Sequence, residues 1–168
     1  DIPQFTTAGA WQCHFDLDLV WPWIETQKRE LGGIDLDPDF QRSHVWTEAQ
    51  QVAWLEFFFR GGKTSRVIYF NHPGWMRSWK GTLTLIDGKQ RLEAIRRFVS
   101  GEIPVFGSLY SEYSDRPDIV HHSLEINVNN LGTRREIIQW YCDMNSGGTP
   151  HTAEEIGKAL RLLEAENG

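Results

Sequence analysis

The sequence lacks any apolar run that approaches the roughly 20 residues of a membrane-spanning helix, and it opens on no signal-peptide pattern. It has two cysteines, Cys13 and Cys142, which lie far apart and outside any metal-type spacing. Two buried thiols in a reducing compartment account for them. We therefore expect a cytosolic protein with no membrane partner.

Positive charge is also scarce. The chain has 17 Lys and Arg against 23 Asp and Glu, which gives a net charge of −6. A sequence-blind DNA-binding protein usually carries a basic surplus, so this balance argues against one, although it allows a local basic patch on an acidic body. The six His have no H-x-x-x-H spacing, and a zinc site is not expected.

What is present fits a single domain over residues 1–168. A chain of 168 residues with 40% hydrophobic content can bury one core and is short for two. The eight Trp are unusual. Trp side chains either fill a core or stack on flat ligands such as bases, and for any single Trp the core is the better assignment.

Hydrophobic periodicity predicts an α+β fold, with a small mixed sheet flanked by helices and with helices at the C-terminus. The predicted helices span 18–30, 47–60, 88–100, 133–144 and 152–166. The predicted strands span 34–36, 66–70, 82–86 and 124–128. Asp18 is the expected N-cap of the first helix, and capping boxes begin at Thr47, Thr133 and Thr152.

The first candidate site is the turn between a predicted strand and the helix after it. Free amides of a first helical turn and the helix dipole attract phosphate, and Gly88 permits close approach of a ligand. Lys89 and Arg91 add charge and donors. Asp87 is suited to a Mg²⁺ ion or to an attacking hydroxyl, and Gln90 can orient a nucleophile. An ordinary strand-to-helix connection with solvated side chains explains the same residues.

The second candidate site is the segment 35–46, which precedes a capped helix and crowds several polar side chains together. Phe40 and Trp46 can anchor it while Gln41 and Arg42 project into a cleft, and Arg is suited to phosphate or to a base edge. A solvated loop bearing a proline is the alternative.

The third candidate site is the segment 145–149, which has Asn145 and Ser146 beside the glycine pair Gly147 and Gly148. Paired glycines suit close backbone approach and a nest of amides for an anion. A helix C-cap followed by the next N-cap explains the same residues without a ligand.

Three segments in order, DPDFQRSHVW, LIDGKQRLEAIRRF and MNSGGTPHTAEEI, resemble the N-terminal domain of GmrS-type modification-dependent restriction enzymes. That family belongs to the ParB/sulfiredoxin-like superfamily and carries P-x-FQR-x-x-VW, (I/L)DGQQR and N-x-x-G-x-x-L-T-x-x-E motifs. The similarity covers about residues 18–158. Lys89 replaces the first Gln of the second motif, and Pro150-His151 stands where the third motif has an apolar residue.

The resemblance implies a ParB/sulfiredoxin-like domain that binds a nucleotide and hydrolyses it or helps to cleave DNA, with modified phage DNA as a typical target. It implies an NTP, with ATP expected, together with Mg²⁺ or another divalent cation. The restriction enzymes carry a following HNH nuclease domain that this sequence lacks, so a separate nuclease or a host protein is an expected partner. Small relatives in bacteriophages make a phage origin, and thus the cytoplasm of a bacterial host, an expectation. The residues that fall on the three motifs are Asp87, Gly88, Gln90 and Arg91, then Gln41 and Arg42, and then Asn145.

Three functions are compatible with these features. The first is an NTP-dependent enzyme acting on or beside DNA, with Asp87, Gln90 and Arg91 catalytic. The second is a kinase that phosphorylates a hydroxyl on a modified DNA base, where Trp75, Arg77 and Trp79 contact the DNA and the Trp rings stack a flipped base. The third is a non-catalytic nucleotide switch or an inhibitor of a host defence complex.

Overall fold

The computed structural model describes residues 11–41, 45–114 and 122–146, together with 157–158, 161–162 and 164–165; the side chains of 145 and 146 are excepted. In this part of the chain the fold is α+β, as predicted. A five-stranded sheet has the order β1-β5-β3-β4-β2. The strands are β1 (Trp11–Phe15), β2 (Ile34–Asp35), β3 (Val67–Asn71), β4 (Leu83–Asp87) and β5 (Leu124–Asn129).

The sheet is mixed. Strand β3 lies parallel to β5 and antiparallel to β4, while the short edge strand β2 lies parallel to β4 and the other edge strand, β1, is antiparallel to β5. Strands β3 and β4 are joined by a loop over residues 72–82, as the turn residues after Asn71 predict. The two-residue strand β2 lies beside the start of β4, with Asp35 opposite Thr84. Strand β1 was not predicted from the sequence.

Four helices of the described residues flank the sheet: α1 (Val20–Glu30), α2 (Glu48–Phe59), α3 (Lys89–Val99) and α4 (Arg134–Ser146). The capping boxes at Thr47 and Thr133 are confirmed by reciprocal hydrogen bonds with the residues three positions on. Asp18 is not an N-cap; Asp16 caps a short 3-10 turn, Leu17–Leu19, and α1 begins after it. The predicted capping box at Thr152 lies outside the described residues, and six residues beyond it are helical.

The core has two parts because the sheet is covered on both faces. Helices α1, α2 and α3 pack their apolar stripes on the face that carries Ile68 and Phe70 of β3 and Leu85 of β4. The opposite face is covered by α4, which packs Ile138 and its neighbours against Ile86. Among the described residues, no helix has both the length and the apolar character needed to cross a lipid bilayer.

The junction of β4 and α3 is fixed by Gly88, whose φ of 113° lies in the left-handed region. A Cβ atom at this position would lie 2.4 Å from Cδ1 of the buried Ile68. The chain therefore needs glycine here both for the backbone angle and for the packing of β3 beneath the turn.

Replacing Gly88 by Ala is expected to lower the free energy of unfolding by about 2 to 5 kcal/mol, because it adds backbone strain to overpacking. Urea denaturation followed by far-UV circular dichroism measures this. Gly101→Ala is the control, since Gly101 also has a positive φ but faces open space, and its expected loss is about 1 kcal/mol. Equal losses in the two variants would show that the contact with Ile68 is not tight.

Candidate functional site

The turn between β4 and α3 has the geometry of an anion site. Strand β4 ends at Asp87, Gly88 occupies the N-cap position, and the first helical hydrogen bond runs from the Leu92 amide to the Gly88 carbonyl at 2.9 Å. The amides of the three residues between them therefore have no acceptor inside the helix. Amides in this position, together with the helix dipole, favour a negative group at the carboxyl end of β4.

Asp87 and Arg91, both predicted to be catalytic, are brought together. The guanidinium Nη2 of Arg91 donates to Oδ2 of Asp87 at 2.6 Å, across one turn at the start of α3. The Asp87 side chain is 43% exposed and that of Arg91 is 12% exposed. The arginine is therefore held in place by its surroundings, and the carboxylate presents its remaining surface to solvent beside the helix N-terminus.

Lys89 and Gln90 are held by the segment that follows β2. The ammonium group of Lys89 forms an ion pair with the carboxylate of Asp37, which is exposed. The side-chain carbonyl of Gln90 accepts a hydrogen bond from the Trp46 amide at 2.8 Å. Both side chains predicted to contact phosphate or a nucleophile thus link α3 to Asp37 and Trp46, and a phosphate at Lys89 would compete with Asp37.

Gln41 does not project into a cleft, as the sequence suggested. It is buried, and its Nε2 donates to the carbonyl of Leu85 in β4 at 2.5 Å. Nearby, both oxygens of Asp39 accept from the Arg134 guanidinium of α4, at 2.9 and 2.8 Å. These contacts hold the segment 37–41 against β4 and α4, and the contact shown for Gln41 is a structural one.

Gly88 also has a packing role. The side chain of Ile68 fills the space in which a Cβ would lie, while the suggestion that Gly88 permits a ligand to approach the backbone stays a prediction. Two other predicted nucleotide contacts stay predictions. Arg42 lies outside the described residues, and so does the side chain of Asn145, whose backbone belongs to the last turn of α4.

A polar cluster that was not predicted from the sequence lies on the sheet beside the turn. Tyr69 of β3 pairs with Asp87 of β4 on one side and with Asn127 of β5 on the other. The amide of Asn127 donates to Glu125 at 2.5 Å. The signal for this cluster was available, because Glu125, Asn127 and Asn129 alternate with apolar residues in the predicted strand and so share one face.

The environment of Tyr69 reflects this cluster. Partial burial raises the pKa of the phenol above its ordinary value of 10.0, and the negative charges of Glu125 and Asp87 raise it further, while Arg91 opposes the shift. A neutral Tyr69 therefore lies next to the Asp87–Arg91 pair as a hydroxyl that can donate to an acceptor.

The predicted DNA contacts lie at the other end of β4. Residues 72–82, here named the Trp79 loop, connect the end of β3 to the start of β4, about 14 Å along the strand from Asp87. Trp75 is 5% exposed and belongs to the core, so its ring is not a stacking surface. Arg77 is exposed and Trp79 is 44% exposed. The structure thus separates these side chains from the turn.

No group of three or more His, Cys, Asp or Glu is placed to hold a metal ion within the described part of the chain. Asp87 is a single carboxylate, and one of its oxygens is bonded to Arg91. Mg²⁺ is commonly bound by one or two carboxylates together with substrate phosphates, so a single half-exposed aspartate is compatible with a magnesium nucleotide but does not form a protein-only site.

Comparison with known proteins gives no match: no family model fits the chain, and no curated protein and no solved structure is significantly similar to it.

Because charges of both signs surround Tyr69, two variants are expected to shift its pKa in opposite directions. Asp87→Asn should lower the pKa of Tyr69 and Arg91→Gln should raise it, because the first removes a negative charge and the second a positive one. Because the folded state favours the neutral phenol, Tyr69 contributes stability below pH 10 that is lost as the pH rises above it.

Tyrosinate absorbance measures this pKa when each titration is subtracted from that of the same variant carrying Tyr69→Phe. An unchanged Tyr69 titration in both variants would show that these side chains do not surround the phenol.

Proposed function

We propose that this chain is an NTP-dependent phosphoryl-transfer enzyme that acts on or beside DNA, with the nucleotide phosphates at the turn of residues 87–91. One observation carries the proposal. A strand end, a glycine in the left-handed region and the N-terminus of an 11-residue helix place the amides of a first helical turn, two cations and a carboxylate within five consecutive residues. Helix N-termini of this kind bind phosphate groups in many nucleotide-binding proteins.

Each side chain has a chemical role in this proposal. The amides at the start of α3 and the ammonium of Lys89 bind phosphate oxygens, and the Arg91 guanidinium stabilises charge that develops on the transferred group. Asp87 orients or deprotonates the attacking hydroxyl or water, and Tyr69 donates a hydrogen bond beside it. Gln90 holds the start of the segment that leads into α2.

In the alternative role of Asp87, its carboxylate would be the protein ligand of a divalent cation. When bound with the nucleotide, Mg²⁺ would neutralise charge on the phosphates. The resemblance to GmrS-type domains of the ParB/sulfiredoxin-like superfamily supports the same assignment from the motifs at residues 86–91 and 38–46, and a cytosolic location and a DNA target are parts of the proposal.

A second candidate is a nucleotide-gated switch without turnover, and one observation favours it. Lys89 is paired with Asp37 and Gln90 is hydrogen-bonded to the Trp46 amide, so a phosphate at Lys89 competes with Asp37. Binding would then loosen a segment that also contacts α4 through Asp39. The kinase alternative, in which a base stacks between Trp75 and Trp79 while its hydroxyl meets Asp87, loses support because of the burial of Trp75 and the separation along β4.

The enzyme and the switch are separated by following the γ-phosphate of labelled NTPs with Mg²⁺, with and without DNA. The proposal predicts turnover that Asp87→Ala abolishes while far-UV circular dichroism and urea denaturation stay close to those of the parent chain. Label on the DNA identifies a kinase, and free phosphate identifies a hydrolase. Tight binding without release of phosphate supports the switch, and full turnover by Asp87→Ala rejects Asp87 as the catalytic group.

The competition at Lys89 gives a binding test. Asp37→Asn should tighten the binding of a fluorescent ATP analogue about two- to fivefold, because it removes an exposed internal anion from the lysine. Lys89→Ala should weaken binding about ten- to a hundredfold, since it removes a charge-assisted contact to phosphate.

Asp39→Asn is the matched control, because this neighbouring aspartate pairs with Arg134 and not with the turn. If Asp37→Asn and Asp39→Asn change the affinity equally, long-range charge and not competition at Lys89 explains the effect. If Lys89→Ala binds as tightly as the parent chain, the phosphates do not lie at this turn.

A further inference from the structure

The Trp79 loop holds two bulky residues in strained backbone conformations and turns both outward. Met76 has a φ of 56° and Trp79 a φ of 55°, in the left-handed region that side chains of this size rarely adopt. Met76 is 63% exposed and Trp79 is 44% exposed. Strain of this kind costs about 1–3 kcal/mol per residue and concentrates at functional positions. Because both side chains are exposed, burial of apolar surface does not offset this strain.

The loop is nevertheless held in one shape by its own contacts. The Gly74 amide donates to Nδ1 of the buried His72, and the Trp79 amide donates to the Gly74 carbonyl at 2.9 Å. The ring of Trp79 meets the edge of buried Trp75, with 5.0 Å between centroids. Trp75 in turn contacts Trp11 of β1 at 5.3 Å. Trp79 is thus a preorganised aromatic surface supported by the core.

The charge of this loop is opposite to that of the whole protein. The net charge of the chain is −6, yet residues 57–86 contain five Arg and Lys and no Asp or Glu. Two of these cations, Arg77 and Lys80, lie in the Trp79 loop on either side of the strained tryptophan, and both are exposed. An exposed ring flanked by cations, with no acidic residue in the same loop, is complementary to a chain of bases and phosphates.

We propose that the Trp79 loop binds single-stranded nucleic acid. One base stacks on Trp79, with Met76 covering its edge, while Arg77 and Lys80 contact the phosphates on either side. This inference deepens the proposed function, on which it rests for the involvement of nucleic acid. The nucleic acid then lies at the opposite end of β4 from the turn of residues 87–91, so the nucleic acid and the NTP phosphates bind at two different sites.

The test uses the whole chain and a fluorescein-labelled oligo-dT of about 12 nucleotides, within the usual site size of such surfaces. Trp79→Ala should weaken binding about five- to a hundredfold, and Trp79→Phe, which keeps an aromatic ring, should retain most of the affinity. Replacing Arg77 or Lys80 by Ala should reduce the slope of log K against log salt by about 0.7 each.

Phe106→Ala is the matched control. Phe106 is also 44% exposed with a positive φ of 48°, but its ring contacts Arg60 outside the Trp79 loop. The proposal predicts that this variant binds the oligonucleotide as the parent chain does. Equal losses in Trp79→Ala and Phe106→Ala would overturn it, and so would an absence of binding by the parent chain. A change of oligomeric state in Trp79→Ala without an effect on the oligonucleotide would assign the loop to self-association and also overturn it.

The same preparations separate this inference from the proposed function. If the oligonucleotide binds in a Trp79-dependent way but the chain neither binds nor turns over NTP, the nucleic-acid site at the Trp79 loop is supported and the nucleotide site at residues 87–91 is rejected. If NTP is turned over but the oligonucleotide does not bind, only the nucleic-acid site at the Trp79 loop is rejected.

Discussion

The contact between Ile68 and the backbone of Gly88 is the constraint on which the candidate site depends. A side chain from β3 lies so close beneath the turn that a Cβ atom at residue 88 would overlap it. The left-handed backbone at Gly88 leads directly from β4 into α3, whose first amides lie at the carboxyl end of β4. Core packing thus requires the glycine on which the proposed phosphate site is built.

The side chains around the turn are already paired inside the protein. Asp87 holds Arg91, Asp37 holds Lys89, and Gln90 holds the Trp46 amide. The pair between Lys89 and the exposed Asp37 contributes little to stability because water and salt screen it. Under the proposed function, a phosphate at Lys89 competes with Asp37 at a small cost in free energy. The same ion pair links α3 to the segment 37–41, which contacts α4 through Asp39.

Local sequence patterns predicted much of the fold. The elements that they did not predict are those that depend on long-range packing. The alternation in β4 and the apolar face of α3 predicted the strand-turn-helix, and Thr47 predicted the start of α2, because periodicity and capping act within a few residues. Strand β1 was missed because its pairing with β5 joins segments more than 100 residues apart. The burial of Gln41 against Leu85 was missed for the same reason.

The site shows the same division. The sequence identified Asp87 and Arg91, which are four residues apart on one helical turn, whereas Tyr69 joined them only through the order of strands in the sheet. Trp75 and Trp79 were predicted to have the same role, but Trp75 is buried and Trp79 is exposed. A loop's tertiary contacts decide which of its rings faces solvent, and no local spacing encodes that.

The central claim is that nucleotide phosphates bind the amides at the start of α3. Titration of isotopically labelled protein with Mg²⁺ and ATP, followed by amide chemical shifts, tests it most directly. The largest shifts should fall on the amides of residues 88–91, with smaller ones at Asp37 as its ion pair with Lys89 is replaced. Unchanged amides at 88–91, or shifts confined to another part of the chain, would contradict a phosphate site at this turn.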